Sequence, residues 1–305
     1  MSTARSTTAY DPSELPIRDR YALLVGTVAP RPIALASTID DQGNRNLAPF
    51  SYFNVFSIDP PVLMVGPTLR GRDGGVKDTL ANARINGEIV VNLVDHAMVE
   101  GASLSSSDFP AEVDEFAKAG FTPIPSETVA PSRVAEAPVA FECTITQIIE
   151  LGTGPGAGQV LVCEVKRVHI ADDVLGEDGK TDANAIDLVG RCGGNHYVRA
   201  SGDALFELPK PSGEGLAVGV DALPEHLRFH PGLSANERAR LGSAKSIPDE
   251  TEVNEHKLIE LSEIFMDNED DPEALENALF AEASHRLEQG DVDGAWMTLL
   301  AYNPG

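Results

Sequence analysis

Residues 139–171 constrain the fold more than any other stretch. "VAFECTITQIIEL" and "QVLVCEVKRVHIA" are long runs rich in β-branched residues, and the link between them, "GTGPGAG", is almost pure turn chemistry. Such a pair reads as an antiparallel hairpin. Strand-like runs precede it at "PIALAST" (32–38), "NLAPFSYFNVF" (46–56), "PPVLMVG" (60–66) and "GEIVVNLV" (87–94), with the turn-rich "IDDQGNR" between the first two. Short helices fit at 18–27, 78–86 and 111–119. This is not the strand–helix alternation of a parallel sheet. Antiparallel strands with a few inserted helices suggest a small closed barrel, in which closure removes exposed sheet edges.

The flanks differ from this middle. Residues 1–17 read as a mobile arm. After about residue 205 the β pattern stops; "PKPSGEG" resembles a linker, and residues 210–305 read as a linker and helical extension. Within it "DPEALENALFAEASHRLEQGDVDGAWMTLLA" (271–301) offers Asp271 as N-cap and Pro272 at the first helical position, and "QGD" divides it into two helices. A single helical pair is too little for a repeat array, so the expectation is a packing appendage.

Forty-eight acidic residues against 23 basic ones give a net charge of −25. That field disfavours nucleic acid and anionic membrane surfaces, and an anionic ligand must be held by local groups working against it. No run approaches the roughly 18 to 20 apolar residues of a membrane helix. The opening "MSTARSTTAYDPSELP" lacks the apolar core of a secretory signal, so a cytoplasmic protein is expected. Cys143, Cys163 and Cys192 show no CxxC or zinc spacing, which argues for free thiols and against a metal site.

Two glycine-rich stretches invite nucleotide readings. "GTGPGAG" links two strands and lacks GxGxxG spacing, so it is a turn. "GRDGGVKDT" fails the Walker A test, because Val76 separates Gly75 from Lys77 and Asp78 follows the lysine. Its physics survives: glycines admit an anion to the backbone, a helix N-terminus offers free N–H groups, Lys77 adds charge and Thr79 a hydroxyl. Asp78 opposes a phosphate unless it turns back to cap the helix. Upstream, Arg31 is pinned between Pro30 and Pro32, and Ser37 and Thr38 end a strand with hydroxyls. Pro49 inside a strand-like run implies an edge or an irregular stretch with free backbone groups, beside the flat surfaces of Phe50, Tyr52 and Phe53.

In these pieces the chain resembles the flavin reductase-like proteins of the FMN-binding split-barrel fold, particularly the flavoredoxin-like branch. The matching text is "PRPIALASTIDDQGNRNLAPFSYFN", "DPPVLMVGP", "KDTLANARINGEIVVNLV" and, more loosely, "DLVGRCGGNHYVR". The resemblance implies a mainly β split barrel with inserted helices over residues 18–209. It places Lys77, Asp78 and Thr79 at the phosphate of FMN, with Ser37 and Thr38 nearby. Ala48, Pro49, Phe50, Ser51, Tyr52 and Phe53 would line the isoalloxazine ring. It also implies a homodimer with flavin near the interface, across which Arg31 would act.

The implied activity is hydride transfer from NADH or NADPH to FMN, with reduced flavin serving oxygen, a monooxygenase or another acceptor. Hydride moves between stacked rings, so the absence of a catalytic triad is no objection. "GRCGGNHYVR" is the candidate nicotinamide side, with His196 and Tyr197 as candidate catalytic residues; Cys192 reads as structural. Two alternatives share the scaffold: an FMN electron carrier without its own pyridine-nucleotide site, and a flavin-dependent oxidase of a small substrate.

Overall fold

The computed structural model describes residues 5–208 and 217–302, so most of the expected linker lies outside the described residues. Two compact units emerge. One spans Thr8–Phe206; the other takes in the described residues from Glu207 onward together with those before Thr8. No described helix is long and apolar enough to cross a membrane.

The first unit runs α1 (Ile17–Thr27), β1 (Arg31–Pro32), β2 (Ala34–Ile39), β3 (Arg45–Phe50), β4 (Phe53–Ser57), β5 (Val62–Val65), α2 (Asp78–Asn86) and β6 (Glu88–Leu93). It continues with α3 (Val99–Leu104), α4 (Glu115–Ala119), β7 (Pro123–Ile124), β8 (Arg133–Val134), β9 (Val139–Glu150) and β10 (Gln159–Ile170). Short α5 (Ala183–Ile186), β11 (Val189–Arg191) and β12 (Tyr197–Arg199) complete it.

β9 and β10 form the expected hairpin, paired from Gln159↔Glu150 to Ile170↔Val139. They are central in a curled, seven-stranded antiparallel sheet of order β3-β2-β6-β9-β10-β5-β4. Two expectations change here. The run 46–56 is not one strand: it breaks at Ser51–Tyr52 into β3 and β4, which occupy opposite ends of the sheet. The sheet therefore curls without sealing by hydrogen bonds, and the two-residue break bridges its open edges. Pro49 explains the choice. It has no N–H for a neighbour, so its strand is an edge, paired on one side only with β2 through Leu35↔Pro49.

β2 is buried on both faces. Its Ala34 and Ala36 join Phe50, Val65, Leu80 and Leu161 in the barrel interior, while Leu35 packs outward with Leu47, Met98 and Phe116. The small inner residues make room for α2, whose Leu80 and Ala83 complete that interior core. Helix α4 starts later than 111, because Asp114 caps it by accepting from the Phe116 amide. Cys143 and Cys163 lie inside the barrel, and burial pushes the Cys163 thiol up to about 12.

The second unit contains α6 (Glu225–Arg228), α7 (Ala235–Gly242), α8 (Glu250–Ile259), α9 (Ser262–Asp267), α10 (Pro272–Glu288) and α11 (Val292–Leu300). Asp271 caps α10 through the Ala274 amide, and Gly290, at φ +82, turns the chain into α11, as the sequence suggested. The appendage expectation is too modest. Leu223, Leu227, Leu241, Phe280 and Leu299 close around the fully buried Trp296, whose indole N–H donates to the Leu241 carbonyl at 2.9 Å. The extension thus has a core of its own.

Candidate functional site

A cleft follows the open edge of β3, and its two parts meet at Pro49, Phe50 and Ser106. The smaller part, about 90 Å³, lies at the start of α2, walled by Lys77, Asp78, Thr79, Arg70, Asn46 and the serines 105–107. The larger part, about 380 Å³, lies between Phe50–Ser51 on one side and Arg191, Asn195 and Tyr197 on the other.

The glycine loop shapes the small end. Gly74 takes φ +73, donates to the Arg70 carbonyl, and lets Gly75 accept from the Arg70 amide, so the loop closes on Arg70 before the helix begins. Lys77 is the N-cap of α2 and provides no side-chain cap, and Asp78 does not turn back to supply one. Asp78 instead lies 3.8 Å from Arg70 Nη2. Burial, then the neighbouring charge of Arg70, holds the Lys77 ammonium below the ordinary lysine range, with Asp108 opposing. Lys77 makes no ion pair among the described residues and sits 5.4 Å from the Phe50 ring centroid. Arg70 Nε is buried without a hydrogen bond among the described residues and lies 3.8 Å from Asp108 Oδ1, and Asp108 and Glu115 line this end with Asp78. A half-buried ammonium, a guanidinium held only by two 3.8 Å ion pairs, an uncapped helix start and a row of serines could serve a phosphomonoester, which would have to compete with those carboxylates.

Behind this wall, Asn46 Nδ2 donates to Thr79 Oγ1 at 2.8 Å and Thr38 Oγ1 at 3.1 Å, and Asn82 donates to Thr38 as well. Thr38 and Ser37 are fully buried in β2 and do not line the cleft. Thr38 fixes the start of α2 from behind, whereas the Ser37 hydroxyl has no partner among the described residues. Glu115 accepts from the Leu47 amide on the strand's outer edge, and burial raises its carboxyl.

Pro49 and Phe50 of β3 and Ser51 just beyond it line the ring-sized end, whereas Ala48 lines the small end. The Ser51 amide bonds no protein acceptor among the described residues, which leaves a backbone donor free at a residue that lines the cleft. Tyr52 lines a separate apolar cavity with Tyr21 and Leu24 of α1, and Phe53 packs on the barrel interior. Arg31 is buried and does not reach the cleft: Nη1 donates to the Val25 and Val28 carbonyls at the end of α1, and Nε lies 3.3 Å from Ser51 Oγ. Within this chain it braces Ser51 from behind.

The facing wall is the β11–β12 hairpin. Arg191 and Tyr197 are register partners, so their side chains share a face, and the guanidinium lies 4.7 Å from the tyrosine ring centroid. His196 falls in the turn, exposed, with Nδ1 against the Gly193 carbonyl at 3.2 Å. Of the two residues expected on this side, Tyr197 lines the cleft and His196 does not. A Cβ at Gly193 would stand 2.8 Å from the Gly26 Cα, so glycine permits the hairpin to lie against α1. Arg70, Asn46, Arg191, Asn195 and Ser105–Ser107 are among the wall residues that sequence reasoning passed over as site residues.

Comparison with known proteins bears on the family and the fold. Residues 26–185 match the flavin reductase like domain. An uncharacterized protein of Halalkalibacterium halodurans is 37% identical over 204 residues, 66% of this chain and 96% of the relative. Among solved structures, nitrilotriacetate monooxygenase component B from Bacillus cereus superposes with a TM-score of 0.62 at 31% identity, over 67% of this chain and 100% of that one. The Pseudomonas fluorescens 2-nitrobenzoate 2-nitroreductase NbaA follows at 0.59 and 29%, over 68% of this chain and 99% of that one. The split, curled barrel, the open β3 edge and the sequence match converge: this chain belongs to the flavin reductase-like family, a flavin-binding family.

Proposed function

We propose that the protein is an FMN-dependent oxidoreductase that takes hydride from NADH or NADPH and passes reduced flavin or its electrons to oxygen, a monooxygenase component or another acceptor. The observation that carries this is the shape of the cleft: a small anion-binding end joins a ring-sized slot at the buried face of Phe50. FMN, when bound, supplies the two-electron redox chemistry. Lys77, Arg70 and the start of α2 hold its phosphate; Phe50 and Pro49 back the ring; the Ser51 amide, steadied through Arg31, donates to a ring heteroatom. The hairpin carrying Arg191 and Tyr197 limits water on the other side and positions the hydride donor. None of these side chains has to move a proton.

Anaerobic titration tests the proposal. Protein loaded with FMN loses its yellow absorbance within seconds of adding NADH or NADPH. Bleaching by dithionite alone would leave an electron carrier, and a protein that neither binds nor reduces added FMN would end the proposal.

A monooxygenase partner is favoured by the likeness to a monooxygenase component B. We also infer a homodimer. Tyr21 and Leu24 on α1, Val28 just after it, Val55 and Phe56 on the edge strand β4 and Ile58 just beyond it are exposed apolar side chains that a second copy would cover. Light scattering should give twice the chain mass; a monomer at micromolar concentration refutes the inference.

A further inference from the structure

The ring-sized slot contains a cation with nothing to do. Arg191 is half-buried in its wall, and its guanidinium makes no hydrogen bond or ion pair among the described residues; its one recorded partner is the Tyr197 ring. Its neighbours differ. Arg199, on the same hairpin, is held by both Asp187 oxygens at 2.7 and 2.6 Å, and Arg31, the register partner of Arg191, is spent on the carbonyls of α1. A planar fork of donors left unused in a cleft is suited to an acceptor of matching geometry, such as a carboxylate or a phosphate. In a chain of net charge −25, no other part of the slot wall supplies positive charge.

The space also continues. At Tyr197, which lines both, the slot shares Val99 and Ser103 with a second cavity of about 400 Å³, walled further by His96, Glu100, Val189, Val198 and Arg199. Phosphate-binding groups for the flavin lie at the opposite end of the cleft, around Lys77, so Arg191 is not needed there.

We infer that Arg191 is a specificity-determining residue for the hydride donor. It binds the pyrophosphate of a reduced pyridine dinucleotide whose nicotinamide enters the slot beside Tyr197 and whose adenosine half extends toward His96 and Arg199. This rests on the reductase function proposed above and goes beyond it, because it names the residue that distinguishes a dinucleotide from a bare dihydronicotinamide. His196, which faces away from the slot, has no part in it.

The test uses the full chain with added FMN as acceptor and two donors: the preferred dinucleotide, and 1-benzyl-1,4-dihydronicotinamide, which has the same reactive ring and no phosphate. R191Q raises KM for the dinucleotide about ten- to hundred-fold, as loss of a charge-assisted contact requires, with kcat within about two-fold. With the benzyl donor the same variant loses at most about three-fold in kcat/KM, through the lost Arg191–Tyr197 stacking, and it binds FMN with little changed Kd. R191K recovers part of the lost KM, because charge remains while the fork is gone. Equal losses with both donors, a weakened FMN Kd, or an unchanged KM each overturn the inference while leaving reductase function standing. A wild-type protein that oxidises the benzyl donor but neither dinucleotide also overturns it; one that oxidises no donor overturns the reductase proposal itself.

Discussion

Replacing Lys77 with alanine raises the dissociation constant for FMN about ten- to hundred-fold and leaves that for riboflavin nearly unchanged, the size expected for one charge-assisted hydrogen bond. The two ligands share a ring and a ribityl chain and differ only in the phosphate, so their ratio isolates the anion contact. Lys77 is suited to it because burial already disfavours its charge, and Arg70 adds to that penalty. A phosphate relieves both effects. The affinity should also depend on pH from two sides. It falls below about pH 6, where the phosphomonoester takes up its second proton. It falls again at alkaline pH, earlier than an ordinary lysine would dictate, because the Lys77 ammonium is shifted down. Fluorescence quenching of each free flavin on binding gives both constants. Equal weakening of FMN and riboflavin would instead assign Lys77 to the Phe50 ring, 5.4 Å from its nitrogen.

How legible this site was in the sequence depends on which interactions are local. The grouping proposed as an anion end was legible because a glycine loop, a lysine and a helix start are consecutive in the chain, and one local rule covers them. Pro49 gave away the strand edge for the same reason: a missing N–H excludes a two-sided neighbour wherever the strand lies. Ser37 and Thr38 misled. Hydroxyls ending a strand look available, but β2 is covered on both faces, and only tertiary packing decides that. The serines 105–107 gave no signal, because α3 carries them to the mouth of the cleft from a distant part of the chain.

The hairpin shows the limit most clearly. "GRCGGNHYVR" drew attention to its histidine, the residue type most often recruited for chemistry. Which side chain faces the cleft is set by strand register with a period of two. Arg191 and Tyr197 are directly paired and share a face; His196 precedes β12 and turns back to the Gly193 carbonyl. A shift of one residue would reverse the choice. The sheet's closure was misjudged for a related reason. Exposed edges are a liability for a bare barrel, but here the open edge of β3 forms the cleft wall, and free backbone groups are what a planar polar ligand uses.

The strongest ionic feature of the barrel lies outside the cleft, and its loss should produce the largest change in stability. The Glu142 side chain is fully buried in β9. Burial alone would push its carboxyl up, yet it is held down at about 2, because Thr128 Oγ1, the amides of Glu127 and Thr128, and His169 Nε2 all donate to it. Arg133 adds charge at 3.8 Å. Glu142→Ala strands these donors around a cavity and should cost about 3 to 5 kcal/mol, the range for breaking a buried ionic cluster. The sign with pH follows from a depressed folded-state value. The carboxylate's contribution, on the order of 3 kcal/mol, is complete above its unfolded range near 4.5 and is lost as pH falls from there toward 2. The difference between wild type and Glu142→Gln should therefore shrink steadily between pH 5 and about pH 2. The chain's single tryptophan cannot report this, since Trp296 belongs to the helical unit. Hydrogen exchange of the β9 and β10 amides can, with Trp296 fluorescence as the internal control that should match between the two proteins at each pH. No difference between the two proteins at any pH in that range would show that Glu142 acts by filling space, not by its charge.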